Sequence, residues 1–370
     1  MESKTRIFVI SSALIILVIV AITTVSTTGL FGLTNKNTIK IGFTTPLSGD
    51  AAAWGISIKE GFDYKVKQIN NSGGINGKII EIIYEDDQCD AKQGVIAFNK
   101  LIDTDKVKII TGSACSSVAL AVIPITQQNR VLYLASGATE DSVPRQGDLV
   151  FRIWPSDFYE TKVIANYAIN KLILKNFATI YVSDYISSKS LNNKFIEIIK
   201  ENNKNILIQE SVLTQNKDFT TTITKVLDKN PEAIYIPAQP EITVLLINQL
   251  KKLGYKGYIL PYGAALQTEG VLNSIYSKEK IIFAEPKRLQ LTSFWKEYKA
   301  DTDKEADTLS ALGYDSALLL ELGLKECGES NECIKNYWLN TKEFNLTRAN
   351  ISFDQYGDAD GFEFEVKELK

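Results

Sequence analysis

Histidine is absent from all 370 residues, which removes the commonest general base and metal ligand. Ser-His-Asp and Cys-His catalysis are therefore impossible, and the chain is expected not to be an enzyme. The stretch "GSACSS" (112–117) lacks the GxSxG pattern of a nucleophile elbow. "SGGINGKII" (72–80) has only a superficial likeness to a phosphate loop, because three residues separate Gly73 from Gly77 and Ile79 stands where Ser or Thr would reach magnesium. It reads as a helix stop followed by a tight "NG" turn. The carboxylates of "YEDDQCD" (84–90) lack calcium-loop spacing and read as a solvated strand end. No metal and no cofactor are expected.

Binding chemistry remains. Small hydroxyl residues recur in "TTPLSG" (44–49), "GSACSS" (112–117) and "ASGATEDS" (135–142), each directly after an apolar run. Ser116 and Thr139 have the side chains that, with helix N-terminal N–H groups, hold a carboxylate. They are equally the residues that serve as plain helix N-caps. Trp54, in "AAAWGIS", is either an apolar wall or a core residue. Tyr185 in "VSDYISS" and Tyr262 in "LPYGA" offer aromatic faces with polar tips from later strand ends.

Positioning these residues requires strands that end together. Nine runs read as strands: "IKIGFTTPL", "KIIEIIYEDD", "KVKIITGS", "VLYLASGA", "FATIYVSD", "ILIQESVL", "EAIYIPA", "GYILPYG" and "KIIFAEP". Amphipathic segments such as "ITVLLINQLKKLG", stopped by Gly254, lie between most of them. Several runs are continuously apolar, as in strands covered on both faces. The pattern predicts an α/β fold with two doubly wound parallel sheets, broken near "FRIWPSD" (151–157) and again around Pro286. A helix from Asp307 to Glu326 and a turn flanked by strands in "ISFDQYGDADGFEFEVKEL" complete the reading, and no internal repeat is visible. In such sheets ligands bind outside the carboxyl ends of the strands.

Hydrophobic residues make up 45%, charged residues 23%, and the net charge is −3. This is a globular composition without the basic footprint of a nucleic-acid binder. Lys4 and Arg6 precede sixteen uncharged residues, Ile7 to Ile22, which read as a signal or membrane anchor with the bulk of the chain outside the cytoplasm. Four cysteines in an exported chain favour two disulfides. The proximity of Cys327 and Cys333 pairs them and leaves Cys89 with Cys115, a four-thiolate zinc site being the competing reading.

Taken together, "IGFTTPLSGDAAAWG" (41–55), "INNSGGINGKIIEIIYEDDQCDAKQGV" (69–95), "GSACSSVALAVIP" (112–124), "SGATED" (136–141) and "FDQYGDADGF" (353–362) resemble the branched-chain amino-acid-binding proteins. These are the leucine/isoleucine/valine type of periplasmic binding protein that serves ABC transporters. The resemblance implies a type I, Venus-flytrap fold: residues 1–37 as signal or anchor and linker, 38–154 with 287–344 as the first lobe, and 155–286 with 345–370 as the second, joined by a hinge. It implies the Cys89 to Cys115 disulfide. Ser116 and Thr139 would hold a ligand carboxylate, and Gly137, Ala138 and Thr139 would border the ammonium. Trp54 would line the side-chain pocket, and Tyr185 would join from the second lobe. The implied partners are a small-molecule ligand and an ABC permease in the membrane, with a tethered receptor as the competing role. Tyr262 stands where the family carries an ammonium-pairing acid, and Ala238 or Gln239 stands where it carries a second-lobe tyrosine. An aliphatic amino acid is the expected ligand, with amides, urea and small carboxylates as alternatives.

Overall fold

The computed structural model describes residues 37–267, 269–287 and 293–370. The apolar run Ile7–Ile22, with its anchor or signal reading, lies outside the described residues. Among the described residues no helix is long and apolar enough to cross a membrane.

The first four predicted strands form as β1 (Thr38–Thr45), β2 (Ile79–Asp86), β3 (Ile109–Gly112) and β4 (Leu132–Ala135). A fifth, β5 (Val150–Arg152), completes a parallel sheet of order β2-β1-β3-β4-β5. It overlaps the start of the stretch expected to be a break, because three strand residues are too few to set up a periodicity. Helices α1 (Ala52–Asn71), α2 (Ala91–Asn99) and α3 (Ser116–Gln128) make the crossovers between the strands. β3 and β4 are buried at every residue, as expected for strands with both faces covered.

The second lobe repeats this plan. It begins with α4 (Asp157–Asn170), β6 (Asn176–Val182), α5 (Ile186–Glu201), β7 (Asn205–Val212) and α6 (Thr220–Leu227). Then come β8 (Ala233–Ile236), α7 (Pro240–Lys252), β9 (Tyr258–Pro261), the short α8 (Glu269–Asn273) and β10 (Ile282–Pro286). The parallel order is β7-β6-β8-β9, and a single bridge, Ile259 to Ile281, sets β10 beside β9. Strand for strand this is the order of the first sheet. The repeat is one of topology, carried by sequences that share only apolar patterning, which is why no repeat is legible in the chain.

The chain then returns to the first lobe as α9 (Phe294–Thr302), α10 (Thr308–Cys327) and α11 (Asn331–Asn340). Asp307 caps α10, accepting from the Leu309 and Ser310 N–H groups, while Ser310 Oγ accepts from the Asp307 N–H. α10 crosses α1 with their backbones in contact. A Cβ on Gly61 would meet the Ser310 carbonyl oxygen at 1.7 Å, and one on Gly313 would meet that of Ile58 at 1.8 Å. A small antiparallel sheet follows, β11 (Phe344–Asn345), β12 (Asn350–Phe353) and β13 (Ala359–Asp360). Phe353 packs against Phe151 and Trp338, so the boundary expected at 345 falls inside this sheet. Only β14 (Phe364–Glu368) rejoins the second lobe, pairing antiparallel with β10. The backbone therefore passes between the lobes three times, after β5, after β10 and after β13.

Candidate functional site

The carboxyl ends of the two sheets face each other across a narrow cavity. Trp54, Ile58, Ala114, Gly137, Thr139, Trp154 and Leu309 line it from one side, and Tyr185, Tyr262 and Ala264 from the other. It encloses about 320 Å³, at the small end of the range for small-molecule sites, and the lobes stand closed over it.

Local contacts hold the aromatic walls in place. Trp54 lies in the first turn of α1, whose approach to the loop after β1 depends on Gly55, where a Cβ would meet the Pro46 carbonyl oxygen at 1.9 Å. The indole Nε1–H donates to the Ala264 carbonyl of the other lobe at 2.8 Å, and the ring stands edge-on to Tyr262 with centroids 6.5 Å apart. Tyr185 is the residue before α5 and is 8% exposed; Tyr262 directly follows β9 and is 5% exposed. The turn after Tyr262 is fixed by Glu160, a buried carboxylate that accepts from the Gly263 N–H at 2.5 Å.

On the first lobe, the junction between β3 and α3 turns through two left-handed residues, Gly112 and Ser113, with φ of 114° and 54°. Strain of this kind clusters at functional sites. The helix starts at Cys115, which is joined to Cys89 with Cα atoms 5.4 Å apart. The second disulfide joins Cys327 to Cys333. Ser116 does not line the cavity. Its buried Oγ accepts from the Thr139 and Glu140 N–H groups, at 3.1 and 3.0 Å, and so clamps the loop that carries Gly137 and Thr139. Ala138 is buried in that loop, and Ala238 and Gln239 are buried at the start of α7 without reaching the cavity.

The structure thus brings Trp54, Gly137, Thr139, Tyr185 and Tyr262 to one cavity and places Ser116 and Ala138 behind it. Sequence reasoning missed Trp154, which sits in a segment read as a linker, and Ile58 and Leu309, which read as ordinary helix-face residues. It also missed Arg152, a fully buried guanidinium whose Nη1 donates to the Thr139 and Glu140 carbonyls at 2.9 and 2.7 Å. Its partners are backbone oxygens and a distant aspartate, which leave no local signal.

No charged side chain is among the described residues that line the cavity. The carboxylates after β2 do not reach it, and they are less solvated than their sequence suggested. Asp86 ties the loop after β1, accepting from the Leu47 N–H and the Ser48 hydroxyl at 2.8 and 2.6 Å. Burial raises its pKa, but these bonds outweigh burial and hold it below the usual carboxylate range. Asp87 is fully buried, which pushes its pKa up to about 7. A wider groove on the outer side of the first lobe, between α1 and α9, has several of its polar groups paired within it, Lys304 with Glu60 and the Tyr64 hydroxyl with Asp301. It lies away from the strand ends.

The arrangement is matched by known proteins along nearly its whole length. The leucine-, isoleucine-, valine-, threonine- and alanine-binding protein of Pseudomonas aeruginosa is 24% identical over 343 residues, covering 90% of each chain. The crystal structure of LivJ, the branched-chain amino-acid transporter substrate-binding protein of Streptococcus pneumoniae in complex with isoleucine, superposes with a TM-score of 0.84 at 25% identity, covering 90% of this chain and 96% of that one. A solute-binding protein of an ABC transporter from Rhodopseudomonas palustris, in complex with 3,4-dihydroxybenzoic acid, has the same fold, with a TM-score of 0.80 at 20% identity over 90% of this chain and 93% of that one. With the family profile described as periplasmic binding protein matching residues 38–336, both lobes and the cavity between them included, the chain belongs to the periplasmic binding protein family.

Proposed function

We propose that the chain is the extracytoplasmic substrate-binding component of an ABC transporter, secreted or tethered by its N-terminal segment, and that it captures an aliphatic amino acid between its closing lobes. It acts by binding, with no reaction step. The observation that carries this reading is the closed cavity at the facing strand ends, walled by Trp54, Trp154, Tyr185 and Tyr262 and edged by Thr139 and Gly137. Thr139 supplies a hydroxyl and Gly137 a carbonyl on one side, and the aromatic walls accept an apolar side chain. The names of the relatives, binders of leucine, isoleucine and valine, point the same way. Ligand binding favours the closed state by its greater affinity for that state, and the closed form is what a permease recognises.

A second reading is a small carboxylate without an ammonium group. Tyr262, at the position where the resemblance has an acid, favours it, and benzoates occupy relatives of the same fold. Calorimetry of the region from Asn37 onward against leucine, isoleucine, valine, benzoate, acetamide and urea separates the two. Tight binding of an aliphatic amino acid, lost at least tenfold in Thr139→Ala with an unchanged melting temperature, is expected. Binding of benzoate with no response to any amino acid selects the second reading. Unaltered affinity in Thr139→Ala refutes the site.

A further inference from the structure

Two fully buried arginines stand where the chain crosses between the lobes, and they hold different things. Arg348 pairs with Asp315 at 3.0 Å and donates weakly to the Ile153 carbonyl at 3.4 Å. Arg152, on β5, has every arm of its guanidinium engaged. Nε and Nη2 form a fork on the Asp358 carboxylate at 2.8 and 2.6 Å, while Nη1 donates to the carbonyls of Thr139 and Glu140. Ser116 holds the N–H groups of those same two residues. The loop that presents Thr139 to the cavity is therefore gripped on both sides of its backbone.

The two partners of Arg152 lie on opposite sides of a mechanical question. Thr139 and Glu140 belong to the ligand loop. Asp358 belongs to the turn before β13, immediately ahead of the third crossing, and Arg152 itself immediately precedes the first. The contact is close and specific. The Arg152 N–H donates to the Gly357 carbonyl at 2.8 Å, and a Cβ on Gly357, where φ is 84°, would meet the Val150 carbonyl oxygen at 2.5 Å. A displacement of the loop cannot leave Arg152 unmoved without breaking charge-assisted bonds, and Arg152 cannot move without carrying Asp358. We infer that Arg152 is a positioning residue that couples the ligand loop to the first and third crossings, so that seating a ligand biases the hinge toward closure. The inference rests on the functional reading above. Lysine cannot substitute, because a single ammonium cannot span a carboxylate fork and two carbonyls together.

The test compares Arg152→Lys and the near-isosteric Asp358→Asn with Phe98→Leu, a same-lobe core variant remote from the loop, chosen to lower the melting temperature comparably. Amide hydrogen exchange at Thr139 and Glu140 without ligand, small-angle scattering with and without ligand, and calorimetry with leucine and benzoate are the readouts. Arg152→Lys is expected to speed exchange at the two amides at least tenfold and to weaken the bound probe at least tenfold, with reduced compaction on binding. Asp358→Asn is expected to shift all three in the same direction, and Phe98→Leu to keep affinity within twofold. Affinity that follows melting temperature alone across the three variants overturns the inference, as does unchanged exchange at Thr139 and Glu140 in Arg152→Lys. Should the wild type bind neither probe, the functional reading fails, and the ligand-free exchange still decides whether Arg152 positions the loop.

Discussion

Asp87 shows how far a single side chain departs from its sequence setting. Within "YEDDQCD" it reads as a solvated acid, yet its Oδ1 accepts only the Cys89 N–H, at 3.0 Å, and its Oδ2 meets no donor. Burial raises its pKa to about 7 from an ordinary value of 3.8, and the nearby Asp86 charge adds to the rise. The unfolded chain loses this proton near pH 4 and the folded one only near pH 7. Between those values the folded state holds the extra proton, so this group's contribution is most favourable below pH 4 and declines as pH rises to 7. The integrated loss is on the order of 4 kcal/mol. Asp87→Asn should flatten that decline and melt above the wild type at pH 8, with little difference at pH 4.5; parallel melting curves across this range would disprove the assignment. Ser116, a candidate ligand contact by its sequence, accepts from the Thr139 and Glu140 N–H groups, so its effect runs through the loop. Ser116→Ala leaves two buried N–H groups without their acceptor, at a cost of about 1 to 3 kcal/mol each.

At the scale of elements, legibility followed the length and regularity of the pattern. Strands with continuous apolar runs, such as "VLYLA" and "AIYI", are readable because a two-faced burial leaves an unbroken hydrophobic signature. Their carboxyl ends are readable as the candidate site because the topology of parallel sheets puts ligands there. β5 and the Arg152 to Asp358 pair were not readable, since three residues carry no period and the paired charges lie 206 positions apart. The start of α3 is a further case. Cys115 has an extended backbone, gives no side-chain capping bond, and is held by its disulfide instead. Chain-entropy arguments give about 3.5 kcal/mol for a bridge across 26 residues and nearer 2 for the six-residue span of Cys327 to Cys333. Replacing Cys89 and Cys115 together by serine should therefore lower stability to urea more than replacing the other pair. It should also weaken ligand binding, whereas the Cys327 and Cys333 replacement should not. Equal affinities in the two double variants would remove the disulfide from the account of the site.

For the whole molecule, the contacts that close the cleft divide into buried and exposed. The Trp54 bond to Ala264 is buried; at the rim, Lys217 reaches across to Asp50 at 3.1 Å while also pairing with Glu241 of its own lobe at 2.8 Å. Lys217 is 49% exposed at its side chain, so its pairs are screened and contribute less than about 1 kcal/mol. Lys217→Ala should alter ligand affinity less than about fivefold, with the small difference fading in 0.5 M salt, as titrations at two ionic strengths would show. A larger loss that persists in salt would mean that closure is governed at the rim.

The strand order of the second sheet bears on how the protein is made. β10 finds one neighbour in β9 through a single bridge and the other in β14, whose residues 364–368 are translated after every other described strand. Until they leave the ribosome, β10 presents an unpaired edge, and the first lobe likewise waits for α10 and the small sheet that seats Arg152. Neither lobe can be finished as an autonomous N-terminal unit during synthesis. A nascent chain halted after residue 360 would carry a nearly complete binding cavity beside an open strand edge, the kind of surface that recruits chaperones or self-associates.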